Sequence, residues 1–161
     1  FNHESPRRGE TFVTRKITLF AAKYNKFKKG TLYLGNLSSK RDWGYADDYV
    51  EGMWKILQHS KANDFVLATG KSYSVRDFLR EAFKCININI IFKGKGAKEI
   101  GIDSKTKKII VKSIPYYYRP NDVTNLVGDY SKAKKLLKWK PKTNFKQLVK
   151  LMVENDIKEY F

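Results

Sequence analysis

The chain alternates short apolar runs with helix-length amphipathic stretches, and a mixed arrangement of strands and helices accommodates that rhythm. The runs in "TLYLGN", "DFVLATG" and "NINIIF" are too short for three helical turns, so each reads as a strand. Around them, "TFVTRKITLFAAKYNK" puts Phe12, Ile17, Phe20 and Ala21 near one helical face, with Arg15, Lys16 and Lys23 beside or opposite it. "ADDYVEGMWKILQHS" predicts a second helix whose first turn carries Asp47 and Asp48, favourable against the positive end of the macrodipole. "SVRDFLREAFKCI" predicts a third, with Ser74 as N-cap and Asp77 at the capping-box position. "KEIGIDSKTKKIIVKS" reads as a polar hairpin turning near "DSKTK". "SKAKKLLKW" and "NFKQLVKLMVENDIKEYF" are two further helices, opened by Ser131 and Asn144 and separated by Pro141. The pattern predicts an α/β or mixed α+β fold without internal repeats.

Charge narrows the functional classes. The 33 Lys and Arg against 16 Asp and Glu point to an anionic partner or to compositional bias. Residues 93 to 150 hold fifteen Lys and one Arg, most of them single between apolar residues, which reads as the solvated face of helices. A basic module for RNA or another polyanion is the alternative, though no RNP, zinc-finger or helix-turn-helix signature accompanies the charge. Cys85 stands alone, suits a reducing compartment and reads as a small core residue. His3 and His59 have no second ligand at metal spacing, so no metal site is expected. Apolar runs of four or five residues span no membrane, and a cytoplasmic location is the default expectation.

Three cationic loops stand beside predicted strand ends. The opening string supplies Asn2, His3, Arg7, Arg8, Arg15 and Lys16; "KRDWG" supplies Arg41; "YYYRPND" supplies Arg119 three residues before Asp122. Guanidinium forks match phosphate oxygens bidentately, so converging arginines would form a phosphate clamp.

The strings "FNHESPRRGETFVTRKI", "LYLGNL", "KRDWG.A.DYVE.MW", "ATG..YSVR.F", "Y.RP..V..L.GD..KAK..L.WKP" and "F..LV..MVE.D" resemble the C-terminal part of the GDP-mannose 4,6-dehydratase family. That family belongs to the extended short-chain dehydrogenases/reductases. The resemblance spans essentially the whole chain. It implies the substrate-binding portion of that fold, with segments near residues 1–10 and 31–58 completing a Rossmann domain whose main part lies upstream of Phe1. It implies NADP as cofactor, met by His3 and Arg8. It also implies GDP-mannose as substrate, with Asn2 on the sugar diphosphate, Lys16 on the GDP moiety, Arg41 and Arg119 on the two phosphates, and Asp122 on the ribose. Asp122 stands where the family usually has Glu, one methylene longer, and Tyr45 where it often has His. A homo-oligomer is implied by likeness alone. A related nucleotide-sugar epimerase or dehydratase is the neighbouring alternative.

The family's reaction transfers hydride from hexose C4 to NADP, eliminates water across C5 and C6, and returns the hydride to C6. It needs a Gly-rich phosphate turn, a Tyr-x-x-x-Lys pair, and a Thr and a Glu. "GKGAKEIG" follows a strand but opens no helix, which predicts a hairpin turn. Tyr24 and Lys28 have the right spacing on an exposed helix end, where coincidence explains them better. No catalytic residue is expected in this chain, and the chain alone is expected to be inactive.

Overall fold

The computed structural model describes residues 1–119 and 123–160. Its strands are β1 (Asn2–Glu4), β2 (Leu32–Leu34), β3 (Lys40–Arg41), β4 (Trp43–Tyr45), β5 (Tyr73–Ser74), β6 (Ile90–Lys93), β7 (Ile100–Asp103) and β8 (Ile109–Ser113). Its helices are α1 (Val13–Phe27), α2 (Ala46–Leu57), α3 (Val75–Lys84), α4 (Ser131–Leu137) and α5 (Phe145–Tyr160).

Among the described residues these strands form three small sheets. β6, β7 and β8 make an antiparallel meander, and β2 joins it parallel to β8. β1 runs parallel to β4, while β3 pairs antiparallel with β5. Ile17 and Ala21 of α1, Phe78, Phe83 and Ala82 of α3, and Leu148, Val149 and Met152 of α5 share one core with Leu34 and Val111 of the sheet. A smaller cluster of Tyr49, Ala133, Leu137 and Trp139 joins α2 to α4. Burying such side chains contributes ~1.5–3 kcal/mol each, which is why helices with modest intrinsic propensity stand here.

Local chemistry explains the boundaries. Ser74 Oγ accepts from the Asp77 amide while the Asp77 carboxylate accepts from the Ser74 amide, closing the expected capping box on α3. Asn144 and Gln147 exchange the same pair of bonds at α5, at 2.9 and 3.0 Å. The "DSKTK" turn closes on Asp103, whose carboxylate accepts from the Lys105 amide and the Thr106 hydroxyl. "GKGA" is a hairpin turn between β6 and β7, with Gly94 and Gly96 at positive φ. The lysines from 132 to 150 face solvent, as single charges between apolar residues predict.

Five expectations need correction. "DFVLATG" pairs with no strand among the described residues, and the amides at its end, Thr69 and Gly70, donate to the Asp42 carboxylate instead. Cys85 is exposed at the end of α3, with its thiol bonded to the Glu81 carbonyl rather than packed in the core. Ser131 is the first helical residue of α4 rather than its cap; Tyr130 holds the N-cap position without a side-chain bond, and the Asp129 carboxylate accepts the Ser131 amide at 2.8 Å. Arg15 is 3% exposed rather than on a solvent face, because α5 covers that side of α1 and answers it with Asp156 at 3.0 Å. Tyr24 is buried in the core, where desolvation pushes its phenol up, and Lys28 closes α1 in a left-handed conformation. Both are structural residues.

Candidate functional site

Strand alternation sorts the opening residues. Side chains at positions 2 and 4 of β1 point one way and position 3 the other. Asn2 and Glu4 accordingly line a cleft of about 550 Å³, whereas His3 packs on the opposite face, edge-on to Tyr49 with ring centroids 4.5 Å apart. His3 Nδ1 sits 2.8 Å from the Phe1 carbonyl, so that nitrogen carries the proton and donates. Nε2 is then a buried acceptor without a hydrogen-bond partner among the described residues.

The cleft gathers cations from distant parts of the chain. Arg8 enters from the turn after β1, Lys16 from the first turns of α1, Arg41 from β3, and Arg119 from the segment after the tyrosines. Each of the three loops singled out from the sequence therefore contributes to one hollow. Arg7 and Arg15 do not: they border a separate hollow with Asn155, Glu159 and Tyr160, which splits the cations of the opening string two and two. Asp122 lies outside the described residues.

Each cation is held by something specific. Arg41 Nη1 donates to the Lys40 carbonyl at 2.8 Å and to the Val123 carbonyl at 2.5 Å, which fixes its stem beside the chain returning from Arg119. That return is anchored by Lys40 N to Thr124 O at 2.9 Å and Leu126 N to Lys40 O at 3.2 Å. Lys16 Nζ lies 4.9 Å from the Tyr117 ring centroid, within cation–π range. The tyrosine segment itself crosses directly over Gly35, where a Cβ would come within 2.2 Å of the Tyr117 carbonyl oxygen. Only glycine permits that approach, and it brings Arg119 to the cleft rim.

Sequence reading passed over two carboxylates that organise the site. Asp42 is fully buried, and its two oxygens accept four bonds: from the Thr69 amide and hydroxyl, the Gly70 amide and the Gly128 amide, at 2.6 to 3.1 Å. It thereby ties the strand segment next to Arg41 to two loops. Glu4 is also buried; it accepts from the Thr14 hydroxyl at 2.5 Å and lies 3.5 Å from Arg8 Nε. Burial pushes its carboxyl up, with the Thr14 bond and the Arg8 charge acting in the other direction. The available signals were Asp42 directly after Arg41 and Glu4 four residues before Arg8.

A hollow of this size with four cations, an amide and aromatic walls can take a phosphorylated small molecule. Among the described residues no group of three His, Cys, Asp or Glu could hold a metal ion, and no helix is long and apolar enough to cross a membrane.

The GDP-mannose 4,6 dehydratase family pattern matches residues 1–152. The chain belongs to the GDP-mannose 4,6-dehydratase family. It is 55% identical over 157 residues to the GDP-mannose 4,6 dehydratase of Dictyostelium discoideum and 48% identical to that of Homo sapiens. Those matches take in 98% of this chain but 44% and 42% of the relatives, so the chain spans less than half the length of the GDP-mannose 4,6-dehydratases it matches, in their C-terminal part. Among solved structures, RMD from Pseudomonas aeruginosa complexed with NADPH aligns with a TM-score of 0.78 at 14% identity, over 98% of this chain and 46% of that one. UDP-glucose 4-epimerase from Thermotoga maritima, solved with UDP-glucose, aligns at 0.70 and 23% identity, over 96% and 43%. These likenesses establish the fold alone: the α/β arrangement found in less than half of each of those chains.

Proposed function

We infer that this chain forms the nucleotide-sugar side of a GDP-mannose 4,6-dehydratase. The observation that carries this is the meeting of Arg8, Lys16, Arg41 and Arg119, more than a hundred residues apart at the extremes, around one cleft in a chain of that family. Arg41 and Arg119 clamp the pyrophosphate, Lys16 meets the GDP moiety, Asn2 donates and accepts at the sugar diphosphate, and Asp122 addresses the ribose. Arg8, which lines the same cleft as Arg41 and Arg119, serves a substrate phosphate as well as NADP, and His3 serves NADP from the other face of β1. The buried His3 Nε2 and Arg8 Nε, both without hydrogen-bond partners among the described residues, fit side chains that meet a polar group from outside. Bound NADP supplies reversible hydride acceptance, from hexose C4 and back to C6. The chain's own residues hold the phosphates, neutralise their charge and fix the hexose for chemistry carried by residues outside this chain.

Two further features support that division of labour. β1 and β4 form a two-stranded parallel pair, and such pairs are stable in sheets covered on both faces. α2 turns Val50, Met53, Trp54 and Leu57 outward at i, i+3, i+4 and i+7, with Leu57 81% exposed. A helix carries such a stripe to pack it. β1, β4 and α2 would complete the larger domain, while β2 belongs to the meander sheet.

A chimera tests this: the part of the Dictyostelium relative that this chain does not match, joined to this chain. With GDP-mannose and NADP it should form the 4-keto-6-deoxy product, and Arg119→Ala should lower kcat/KM about tenfold to a hundredfold, as for loss of a charged hydrogen bond of ~1.5–3 kcal/mol. The chain alone should give no product. Turnover by the chain alone would refute the division of labour, and a folded but inactive chimera would refute the dehydratase activity.

A further inference from the structure

Phe12 is an aromatic side chain in an unexpected place. It precedes the first residue of α1, is 48% exposed, and lines the cleft instead of the core that the helical pattern assigned to it. Its ring is nevertheless in contact: the Arg8 guanidinium carbon stands 3.6 Å from the ring centroid. At that distance the guanidinium carbon stands over the ring face, well within cation–π range. The backbone builds this pairing, since Phe12 N donates to Gly9 O at 3.1 Å and Arg8 N donates to Ser5 O at 3.0 Å, folding the turn so that positions 8 and 12 face each other.

The second constraint on Arg8 comes from Glu4. Its Oε2 is 3.5 Å from Arg8 Nε, close enough to attract but too far and too misaligned for a hydrogen bond, so Nε is a buried donor without a partner among the described residues. Glu4 itself is fixed by Thr14, at 2.5 Å. Arg8 is thus held on one side by the Phe12 ring and drawn at Nε by Glu4. The guanidinium is planar and rigid, so contacts at two of its sides restrict the direction of its remaining N–H groups. Those groups border the cleft.

We propose that Phe12 is a positioning residue: it presets the Arg8 guanidinium for a phosphate in the cleft and lowers the ordering cost of binding. This rests on the cleft being the nucleotide-sugar site, and deepens that assignment by naming what holds one of its cations. A ring platform suits the task better than a second carboxylate would, because it orients the cation without competing for its N–H groups or repelling the incoming phosphate.

GDP titrated into the isotope-labelled chain, followed by NMR shifts, tests the proposal through four proteins. Phe12→Leu should weaken GDP binding about threefold to tenfold, the range of a cation–π contact. Phe12→Tyr, which keeps a ring, should bind within about twofold of the unaltered chain. Arg8→Ala should weaken binding at least as much as Phe12→Leu, and adding Phe12→Leu to Arg8→Ala should cost nothing more. The Arg8 Nε–H proton should also lose its ring-current shift in Phe12→Leu and keep it in Phe12→Tyr, before any GDP is added. Additive losses in the double variant would overturn the proposal, since Phe12 would then act on the ligand or the fold directly. An Arg8 resonance indifferent to Phe12→Leu, or an Arg8→Ala chain that binds GDP normally, would overturn it as well. Absence of GDP binding by the unaltered chain would sink the site assignment and this inference together, a result distinct from the other three.

Discussion

Asp42→Asn is expected to lower the unfolding free energy by about 2–4 kcal/mol while changing side-chain volume hardly at all. The carboxylate accepts four hydrogen bonds, two per oxygen, and each of its donors is a fixed backbone amide or an adjacent hydroxyl. Asparagine replaces one oxygen by an NH2 group. Turned toward Gly70 and Gly128, the NH2 faces two amide donors at about 3 Å; turned toward Thr69 it faces one, because the hydroxyl can rotate to accept from it and donate to the Lys71 carbonyl, so at least one donor is left facing a donor beside a fully buried side chain. Urea unfolding followed by circular dichroism reads the loss directly. GDP affinity should fall with it, because Asp42 ties the segment next to Arg41 to Gly70 and to Gly128, near the return from Arg119. An Asp42→Asn chain as stable as the original would mean that ordered water replaces those bonds.

Asp156→Ala should cost more, about 3–5 kcal/mol, although Asp156 is nowhere near the cleft. Its carboxylate is fully buried and meets Arg15 at 3.0 Å across the α1–α5 packing, and Arg15 Nη2 has the Tyr160 hydroxyl at 3.4 Å as a further partner. Truncating the acid leaves a permanently charged guanidinium in a site of 3% exposure. The penalty belongs to the stranded charge rather than to the pair. Arg15→Met with Asp156→Leu should therefore recover most of the stability, and a double variant as weak as Asp156→Ala would contradict this. Burial raises the Asp156 carboxyl above its ordinary 3.8, with Arg15 opposing the rise. The folded chain consequently holds a proton that the unfolded chain has released, so this group's contribution to stability falls as pH climbs from 3.8 through the raised value.

Both residues show what the sequence conceals. Period and caps revealed α1 to α5, the β7–β8 hairpin, the capping box of α3 and the Asn144 start of α5, because those depend on neighbours within four residues. The convergence of Arg41 with Arg119 was also readable, since guanidinium chemistry and family likeness pointed the same way. Burial of Arg15 was not, because an arginine beside apolar residues in a helix looks identical whether its far side meets water or another helix. "DFVLATG" looked like a strand for the same reason: its last two amides, Thr69 and Gly70, are satisfied by a carboxylate 27 and 28 residues earlier. His3 shows the limit of the motif itself. Motif proximity grouped it with Asn2 and Arg8, yet the pleat of β1 turns it to the other face.

The claim on which the rest depends is that a nucleoside diphosphate sits where Arg41 and Arg119 meet. Its most direct test is an amide-resolved NMR titration of the chain with GDP and, separately, with guanosine. GDP should shift the resonances of Arg8, Lys16, Arg41 and Arg119 saturably, more weakly as salt is raised, and guanosine should leave Arg41 and Arg119 unmoved. GDP shifts spread over the lysines between 132 and 150, with Arg41 and Arg119 silent, would contradict it and favour a general polyanion surface.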